Sequence, residues 1–144
     1  MNVEDALKRK GNRVLAVRPH THVKAALSEM AQAGVGALVV TNESGELSGI
    51  LSERDIVRAI DKHGAGIIDE AVSKIMTSDV RTCTAEEELA HLAEVMTERR
   101  IRHLPVVDDS GVLIGLMSIG DVVKFRLEQL EDDRQKLTDF IYAR

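Results

Sequence analysis

Aromatic residues are scarce in this chain of 144 residues, making up 2% of it. The three aromatic residues are Phe125, Phe140 and Tyr142, all within the last twenty positions. The first 124 residues must therefore build their core from aliphatic side chains. If that region binds a flat ring, the ring has to lie between aliphatic side chains and backbone, because no aromatic face is available for stacking.

Cysteine is almost absent. The single residue, Cys83, excludes an intramolecular disulfide, and no CxxC motif is present for zinc. Cys83 lies in an apolar segment, and we expect it to be a small core residue. The remaining metal-binding candidates are histidines without the spacing of a metal site, so we predict no structural metal. They are His20, His22, His63 and His91.

Long apolar runs are also missing. No stretch approaches the roughly 18 consecutive apolar residues of a membrane span, and no apolar run follows the charged N-terminus, so no secretory signal is predicted. The net charge of −5 offers no general attraction to nucleic acid or to an anionic membrane surface. We expect a cytoplasmic protein that binds neither nucleic acid nor membrane.

Catalytic motifs are lacking as well. The sequence contains no P-loop, no GxGxxG motif and no nucleophile elbow. No nucleophile is paired with a base at a readable spacing, and 144 residues cannot form a (β/α)8 barrel of about 250 residues. We predict that the chain is not an enzyme.

What the sequence does contain is an internal repeat. Shifted by 66 positions, residues 14–59 match the following part of the chain without a gap. Identical pairs include Gly49 and Gly115, Ser52 and Ser118, and Asp55 and Asp121. Two copies are too few for a solenoid, so the pattern predicts a pseudo-symmetric pair.

Each copy predicts the element order β-α-β-β-α, an α+β fold. The first extended segments are residues 14–17 and 80–83. An amphipathic helix follows, with apolar residues three and four apart, then two strands joined by a turn that ends in glycine. Thr84 and Glu87 predict a capping box at the start of this helix in the second copy.

The two ends of the chain lie outside this pattern. Residues 3–10 predict a short helix that ends at Gly11. Residues 119–143 predict one long helix with a heptad-like apolar stripe. The stripe is compatible with packing against its own domain or with contact to a second subunit.

The motif Gly-h-h-Ser-x-x-Asp, where h is apolar, occurs at residues 49–55 and 115–121. With its surrounding elements and with residues 101–108, it resembles the tandem cystathionine β-synthase (CBS) domain. The resemblance covers roughly residues 10 to 130, with repeats at 10–66 and 76–130 and a helical extension at 131–144. The length is similar to that of small bacterial proteins that contain little beyond a CBS pair.

The resemblance implies two clefts between the repeats that bind an adenosyl compound: AMP, ADP or ATP, with NAD or S-adenosylmethionine as further candidates. Asp55 and Asp121 would hold the ribose hydroxyls. The residues implied for the first cleft are Ser52, Arg54, Asp55, Ala37, Arg102 and His103. Those implied for the second are Ser118, Asp121, Ile101, Thr84 and Met117. It also implies a regulatory role, a homodimer and an unidentified protein partner.

The motif has a plain structural explanation too, because Ser-x-x-Asp before an apolar helix is a capping box. A carboxylate in the first turn of a helix can nevertheless accept hydrogen bonds from two adjacent hydroxyls, and the helix N-terminus favours a phosphate. One residue can serve both roles. A structural or interaction module with empty clefts is therefore the main alternative to a nucleotide sensor.

The two clefts are predicted to differ in charge. The second copy has Arg99, Arg100, Arg102 and His103 where the first has Ala33, Gly34, Gly36 and Ala37. The resemblance implies that the phosphate at one repeat's site is met by residues entering the second strand of the other repeat. We therefore expect the Asp55 cleft to prefer phosphorylated ligands and the Asp121 cleft to be weaker for phosphate, or to take a less charged adenosyl group. The alternative is that these arginines form a solvated face paired with Glu94 and Glu98.

Overall fold

A computed structural model describes residues 1–11 and 13–143. The helices are α1 (Val3–Lys10), α2 (Val23–Ala33), α3 (Glu53–His63), α4 (Leu89–Arg99) and α5 (Ile119–Tyr142). The strands are β1 (Ala16–Val17), β2 (Ala37–Thr41), β3 (Leu47–Ser52), β4 (His103–Val107) and β5 (Leu113–Ser118). Two 3₁₀ turns, Ala65–Asp69 and Val72–Lys74, connect the two halves. Among the described residues, no helix is both long and apolar enough to cross a membrane.

The strands form two small sheets, one in each repeat. In the first, β1 runs parallel to β2 and β2 is antiparallel to β3; the second contains β4 antiparallel to β5. The pairing is the same in both, with Gly49 opposite Val40 and Gly115 opposite Val106. The predicted α+β class is confirmed, and the order α-β-β-α recurs in both repeats because equal sequence patterns produce equal hairpins.

Each repeat has its own apolar core. The first core packs α2 and α3 against β2 and β3, and its fully buried members include Met30, Leu38 and Leu51. The second packs α4 and the start of α5 against β4 and β5, with Phe125 the one aromatic side chain in it. Cys83 is buried there, and burial followed by the nearby Glu87 carboxylate raises the pKa of its thiol to about 12.

Helix α1 does not pack on the repeat that follows it in sequence. Its buried residues Val3, Ala6 and Leu7 belong to the core of the second repeat. The backbone also joins this repeat, since Val3 N donates to Glu87 O at 2.9 Å and Leu89 N donates to Met1 O at 3.1 Å. The N-terminal helix therefore completes the far half of the molecule.

This docking explains a wrong prediction. Thr84 N donates to the Glu87 carboxylate at 2.6 Å, but the pair closes a turn and does not cap a helix. Helix α4 begins only at Leu89, after Glu88, because the backbone of the intervening residues bonds to the N-terminal segment. The predicted strand over residues 80–83 is reduced to a single bridge between Cys83 and Val106.

The long C-terminal helix is confirmed, and its two parts have different surroundings. Val122 and Phe125 are buried against the second repeat. Further along, the apolar side chains are exposed, with Leu130 53%, Leu137 61% and Phe140 68% accessible. Packing on its own domain therefore accounts for the first turns only, and the rest of the stripe is open.

Candidate functional site

The Ser-x-x-Asp motif caps the helix in both repeats. Ser52 Oγ accepts from Asp55 N at 3.2 Å, and Asp55 Oδ2 accepts from Ser52 N at 2.9 Å and from Ser52 Oγ at 3.0 Å. Ser118 and Asp121 form the same box in front of α5. Capping uses Oδ2 of Asp55, so the second carboxylate oxygen, Oδ1, is directed to other partners.

That second oxygen accepts a hydrogen bond from Thr77 Oγ1 at 3.3 Å. Thr77 is held beside β3 by two backbone hydrogen bonds with Ile50, of 2.9 and 3.0 Å. The approach is close: a Cβ on Gly49 would lie 2.7 Å from the Thr77 carbonyl oxygen and 2.8 Å from Met76 Sδ. The glycine of the motif is thus needed so that the Met76–Thr77 segment can lie on the strand.

A cavity of about 530 Å³ opens in front of this carboxylate. Its volume falls within the roughly 300–1,000 Å³ typical of small-molecule sites. Both repeats line it. The first contributes Gly36, Ile50, Ser52, Glu53, Arg54 and Asp55; the linking segment contributes Thr77; the second contributes Arg100, Ile101, Arg102, His103, Ser118 and Ile119.

Most residues predicted for the first cleft come together here. Ser52, Arg54, Asp55, Arg102 and His103 all line the cavity. Ala37 is buried in β2, and its neighbour Gly36 takes the lining position. The contact across the pseudo-twofold axis predicted for the second repeat is therefore present at the Asp55 end.

The cavity wall carries more positive than negative charge. Arg54, Arg100 and Arg102 contribute three guanidinium groups, against the carboxylates of Glu53 and Asp55. Within residues 1–11 and 13–143, no salt bridge of 4.0 Å or less joins these arginines, or Arg99, to Glu94, Glu98 or any other carboxylate. Their guanidinium donors are therefore available to an anionic ligand.

Arg100 has an unusual backbone. Its φ of 54° is the only positive value at a non-glycine residue in the described ranges. It ends α4 in the left-handed conformation, whereas the equivalent position of the first repeat is Gly34, with φ 66°. A left-handed residue with a Cβ costs about 1–2 kcal/mol, so glycine would be the less strained residue at this position.

His103 is partly buried at the start of β4. Burial and the neighbouring Arg102 guanidinium lower the pKa of the His103 imidazole, and the Asp121 carboxylate only partly offsets them. The ring is consequently neutral at neutral pH. It can offer one N–H or one acceptor nitrogen to a ligand, while the positive charge of the cavity comes from the arginines.

The residues predicted for the second cleft have different surroundings. Ser118 and Ile101 line the Asp55 cavity, while Met117 is fully buried in the core and Thr84 belongs to the turn before α4. Asp121 does not line this cavity either, and its carboxylate is engaged by Lys10 at 2.6 Å. Burial would raise the pKa of Asp121, but hydrogen bonds from Lys10 and Ser118 outweigh it and lower it.

Sequence reasoning did not single out Thr77 as a site residue, and it placed Arg100 in the basic cluster without assigning it to the cleft. A signal for Thr77 was available, because Thr77 precedes Val80 by the same three positions that separate Gly11 from Val14. Each repeat therefore has an entering segment that reaches the site. For Arg100 the signal was the glycine at the equivalent position of the first repeat, Gly34, which is typical of a left-handed residue at the end of a helix.

Comparison with known proteins gives a consistent result. The family model of the CBS domain matches residues 3–62 and 72–128. The mitochondrial CBS domain-containing protein CBSX3 of Arabidopsis thaliana is 36% identical over 147 aligned positions, which cover 96% of this chain and 71% of that protein. The crystal structure of a CBS-domain containing protein from Agrobacterium tumefaciens has 40% identity and a TM-score of 0.83, covering 88% of this chain and 99% of that one.

A further solved structure has a ligand-bound form. It is a CBS domain pair in complex with 5′-methylthioadenosine and S-adenosyl-L-methionine, with a TM-score of 0.79 over 90% of this chain and 98% of that one. Its sequence identity is 23%, so the likeness concerns the fold.

Proposed function

The chain belongs to the CBS domain family, and we propose that it is a regulatory module that binds a phosphorylated adenosyl ligand, AMP, ADP or ATP, in the Asp55 cleft. Binding would join the two repeats and signal to a second copy or to a partner protein. No reaction is assigned to the chain in this proposal.

One observation carries it: a single cavity brings the Asp55 carboxylate of one repeat together with Arg100 and Arg102 of the other. A carboxylate can accept bonds from both hydroxyls of a ribose, and guanidinium groups form charge-assisted, often bidentate, bonds with phosphate. A nucleotide has both groups a few ångströms apart. The arginine-rich wall favours such a ligand over an uncharged nucleoside.

The nature of the wall also fits an adenine ring. Ile50, Ile101 and Ile119 line the cavity, and the described lining residues include no Phe, Tyr or Trp. A ring would therefore be held between aliphatic side chains and backbone, as composition predicts. That a pair of this fold can accommodate adenosyl compounds is supported by the neighbour solved with 5′-methylthioadenosine and S-adenosyl-L-methionine.

A thermal-shift panel tests the function. Purified protein is heated with AMP, ADP, ATP, NAD, NADH or S-adenosylmethionine, each with and without Mg²⁺. A ligand at a hundred times its dissociation constant stabilises the native state by about 2.7 kcal/mol, which gives a clear increase in Tm. We expect an adenine nucleotide to give the largest shift and NAD or S-adenosylmethionine a smaller one.

The matched control is Asp55→Ala, which removes the proposed ribose acceptor and should abolish most of the shift. Mass spectrometry of the purified wild type establishes whether a nucleotide from the expression host already occupies the Asp55 cleft. A flat panel with ligand-free protein would contradict the proposal and favour the interaction module with empty clefts.

We further propose that the partner in signalling includes a second copy of this chain. Val57 on α3 and Val123 on α5 are equivalent positions of the two repeats, and both are exposed, at 66% and 50%. Leu127, one turn further along α5, is 62% exposed. Equivalent apolar faces on two helices can meet the same faces of another copy around a twofold axis, which is the geometry of an isologous dimer.

Light scattering coupled to gel filtration measures the molar mass of the protein in solution and so distinguishes a dimer from a monomer. The wild type should elute with the mass of a dimer, and the double variant Val123→Glu/Leu127→Glu should elute with that of a monomer. Lys124→Glu, on the same helix and likewise exposed, is the control for added negative charge and should remain dimeric. A monomeric wild type at high concentration would refute the dimer while leaving nucleotide binding intact.

We also propose a cytoplasmic location, where the adenine nucleotides of the cell would be sensed directly. Cell fractionation with an antibody against the chain tests it, and recovery of the protein in a membrane-enclosed compartment would contradict it.

A further inference from the structure

One backbone carbonyl, at equivalent positions of the two repeats, accepts its hydrogen bond from a different kind of donor in each repeat. In the first, the carbonyl of Ile50 accepts a hydrogen bond from the backbone of Thr77 at 2.9 Å. Leu116 is the residue equivalent to Ile50, and its carbonyl instead accepts from the Lys10 ammonium at 2.7 Å. A lysine side chain from the N-terminal helix thus occupies the place of a backbone N–H in the first repeat.

The same ammonium reaches the motif carboxylate of the second repeat. Lys10 Nζ lies 2.6 Å from Asp121 Oδ2, and the two side chains are only 26% and 24% exposed. Within residues 1–11 and 13–143, no salt bridge reaches Asp55, and its contact outside the capping box is a neutral hydroxyl, Thr77 Oγ1, which lies 3.3 Å from the other carboxylate oxygen, Oδ1. One carboxylate therefore stands beside a cavity with its charge available, while the other is neutralised by a cation from its own chain.

The position of Lys10 is fixed by the packing of its helix. Val3 and Leu7 of α1 are buried in the core of the second repeat. Leu7 packs so closely on β5 that a Cβ on Gly115 would lie 2.7 Å from its Cδ2 atom. Lys10 is the last residue of this anchored helix, so its ammonium is delivered to Asp121 by the fold.

We propose that Lys10 is a specificity-determining residue of the second cleft, which closes the Asp121 site to the ribose of an adenosyl ligand. The chain would then bind one nucleotide per pair of repeats, at Asp55. This inference rests on the proposed function, since it concerns which of two equivalent carboxylates reads a ribose.

The physical reason is competition for one carboxylate. The Lys10 ammonium shares Asp121 Oδ2 with the capping Ser118 N–H. A ribose that places one hydroxyl on each carboxylate oxygen would have to displace this ammonium, which would also lose its bond to the Leu116 carbonyl. The displaced cation would remain at a partly buried place without a partner, and an unpaired ion there is unfavourable. Asp55 requires only the release of a long hydrogen bond from a hydroxyl that can turn to a ligand or to water.

The number of nucleotides bound per chain tests the proposal, measured by isothermal titration calorimetry and equilibrium dialysis with AMP and ATP as probes. Wild type should bind one. Lys10→Met keeps the length and apolar stem of the side chain, removes the charge, and should bind two. Lys8→Met is the matched control, because Lys8 lies on the same helix and pairs only with the exposed Glu4; it should bind one.

Two double variants show which carboxylate binds the nucleotide gained in Lys10→Met. Lys10→Met/Asp121→Ala should return to one nucleotide, and Lys10→Met in an Asp55→Ala background should bind one where Asp55→Ala alone binds none. Lys10→Arg, which keeps the cation, should bind one. Lys10→Gln is the replacement if the methionine variant does not fold by circular dichroism.

Two nucleotides bound to the wild type, or one bound to both folded neutral variants, would overturn the role of Lys10 while leaving the proposed function in place. No binding to the wild type together with one nucleotide bound to Lys10→Met would overturn the Asp55 assignment and support Lys10. No binding to any variant would overturn both.

Discussion

At the scale of single residues, the site combines side chains that serve the fold with side chains that cost it stability. Ser52 and Asp55 cap a helix and also face the cavity, so their presence alone does not distinguish the two roles. Arg100 does distinguish them, because its left-handed backbone would suit a glycine better, as at the equivalent Gly34. Its side chain lines the cavity.

Arg100 therefore yields a prediction with two opposite effects. Arg100→Gly should raise the free energy of unfolding by about 1 kcal/mol, since relief of the left-handed strain exceeds the extra flexibility of glycine in the unfolded chain. The same change should weaken the binding of ATP. Urea denaturation and calorimetry measure the two quantities.

Arg99→Gly is the control. Arg99 is the last residue of α4 with helical geometry, so glycine there should lower stability by up to about 1 kcal/mol. If both variants lose stability equally, the backbone of Arg100 is not strained, and strain no longer supports a ligand-binding role for its side chain.

At the scale of elements, the motif glycines are explained by the segments that cross them. Gly49 lies under Met76 and Thr77, and Gly115 lies under Leu7. The two contacts differ in kind. At Gly49 the nearest atom is a backbone oxygen held by hydrogen bonds, whereas at Gly115 it is the end of a leucine side chain that can rotate away.

Alanine substitution should reveal this difference. Gly49→Ala should destabilise the protein by about 1–3 kcal/mol, the range of overpacked sites, and Gly115→Ala by less. Gly66→Ala is the control, because a Cβ there meets nothing within 4 Å and its φ is not positive. The midpoints of urea unfolding rank the stabilities of the three variants. An equal loss of stability in Gly49→Ala and Gly115→Ala would contradict the idea that the Met76–Thr77 segment lies rigidly over Gly49.

At the scale of the whole molecule, two groups with shifted pKa values, His103 and Asp121, lie where the N-terminal helix, β4 and α5 meet. The pKa of His103 lies below its ordinary value of 6.5, and that of Asp121 lies below 3.8. In both cases the unfolded chain takes up protons at a higher pH than the folded protein does. Both groups therefore contribute stability that is complete above their unfolded pKa and is lost as the pH falls towards the folded one.

For His103, the loss of stability is therefore expected in the mildly acidic range. The free energy of unfolding should decrease between about pH 7.5 and pH 5.5, through the ordinary pKa of histidine. Urea unfolding at the two pH values measures it, and His103→Gln should flatten the dependence. The exposed His63, changed to Gln, is the control and should leave it unchanged. A wild type equally stable at both values would show that His103 does not carry this linkage.

Much of the fold and half of the site could be predicted from the sequence, because they depend on local pattern and on repetition. The capping boxes at Ser52 and Ser118, the helix over residues 3–10 and the long C-terminal helix follow from near neighbours in the chain, and the paired hairpins follow from the 66-residue repeat. The resemblance to the CBS pair implied that Arg102 and His103 would face Asp55, and both line the cavity in front of that carboxylate.

Only the tertiary structure decided where the entering segments pack. Helix α1 completes the second repeat, and Lys10 meets Asp121, a residue 111 positions away. The Met76–Thr77 segment covers the first repeat in its place. The two segments lie at equivalent positions of the 66-residue repeat but have different sequences, Lys10-Gly11 and Met76-Thr77. The identity of these residues alone therefore does not link Lys10 to a carboxylate or Thr77 to Asp55. The sequence by itself determined two equivalent carboxylates, Asp55 and Asp121. The packing of α1 paired Asp121 with Lys10, while Asp55 lines the open cavity.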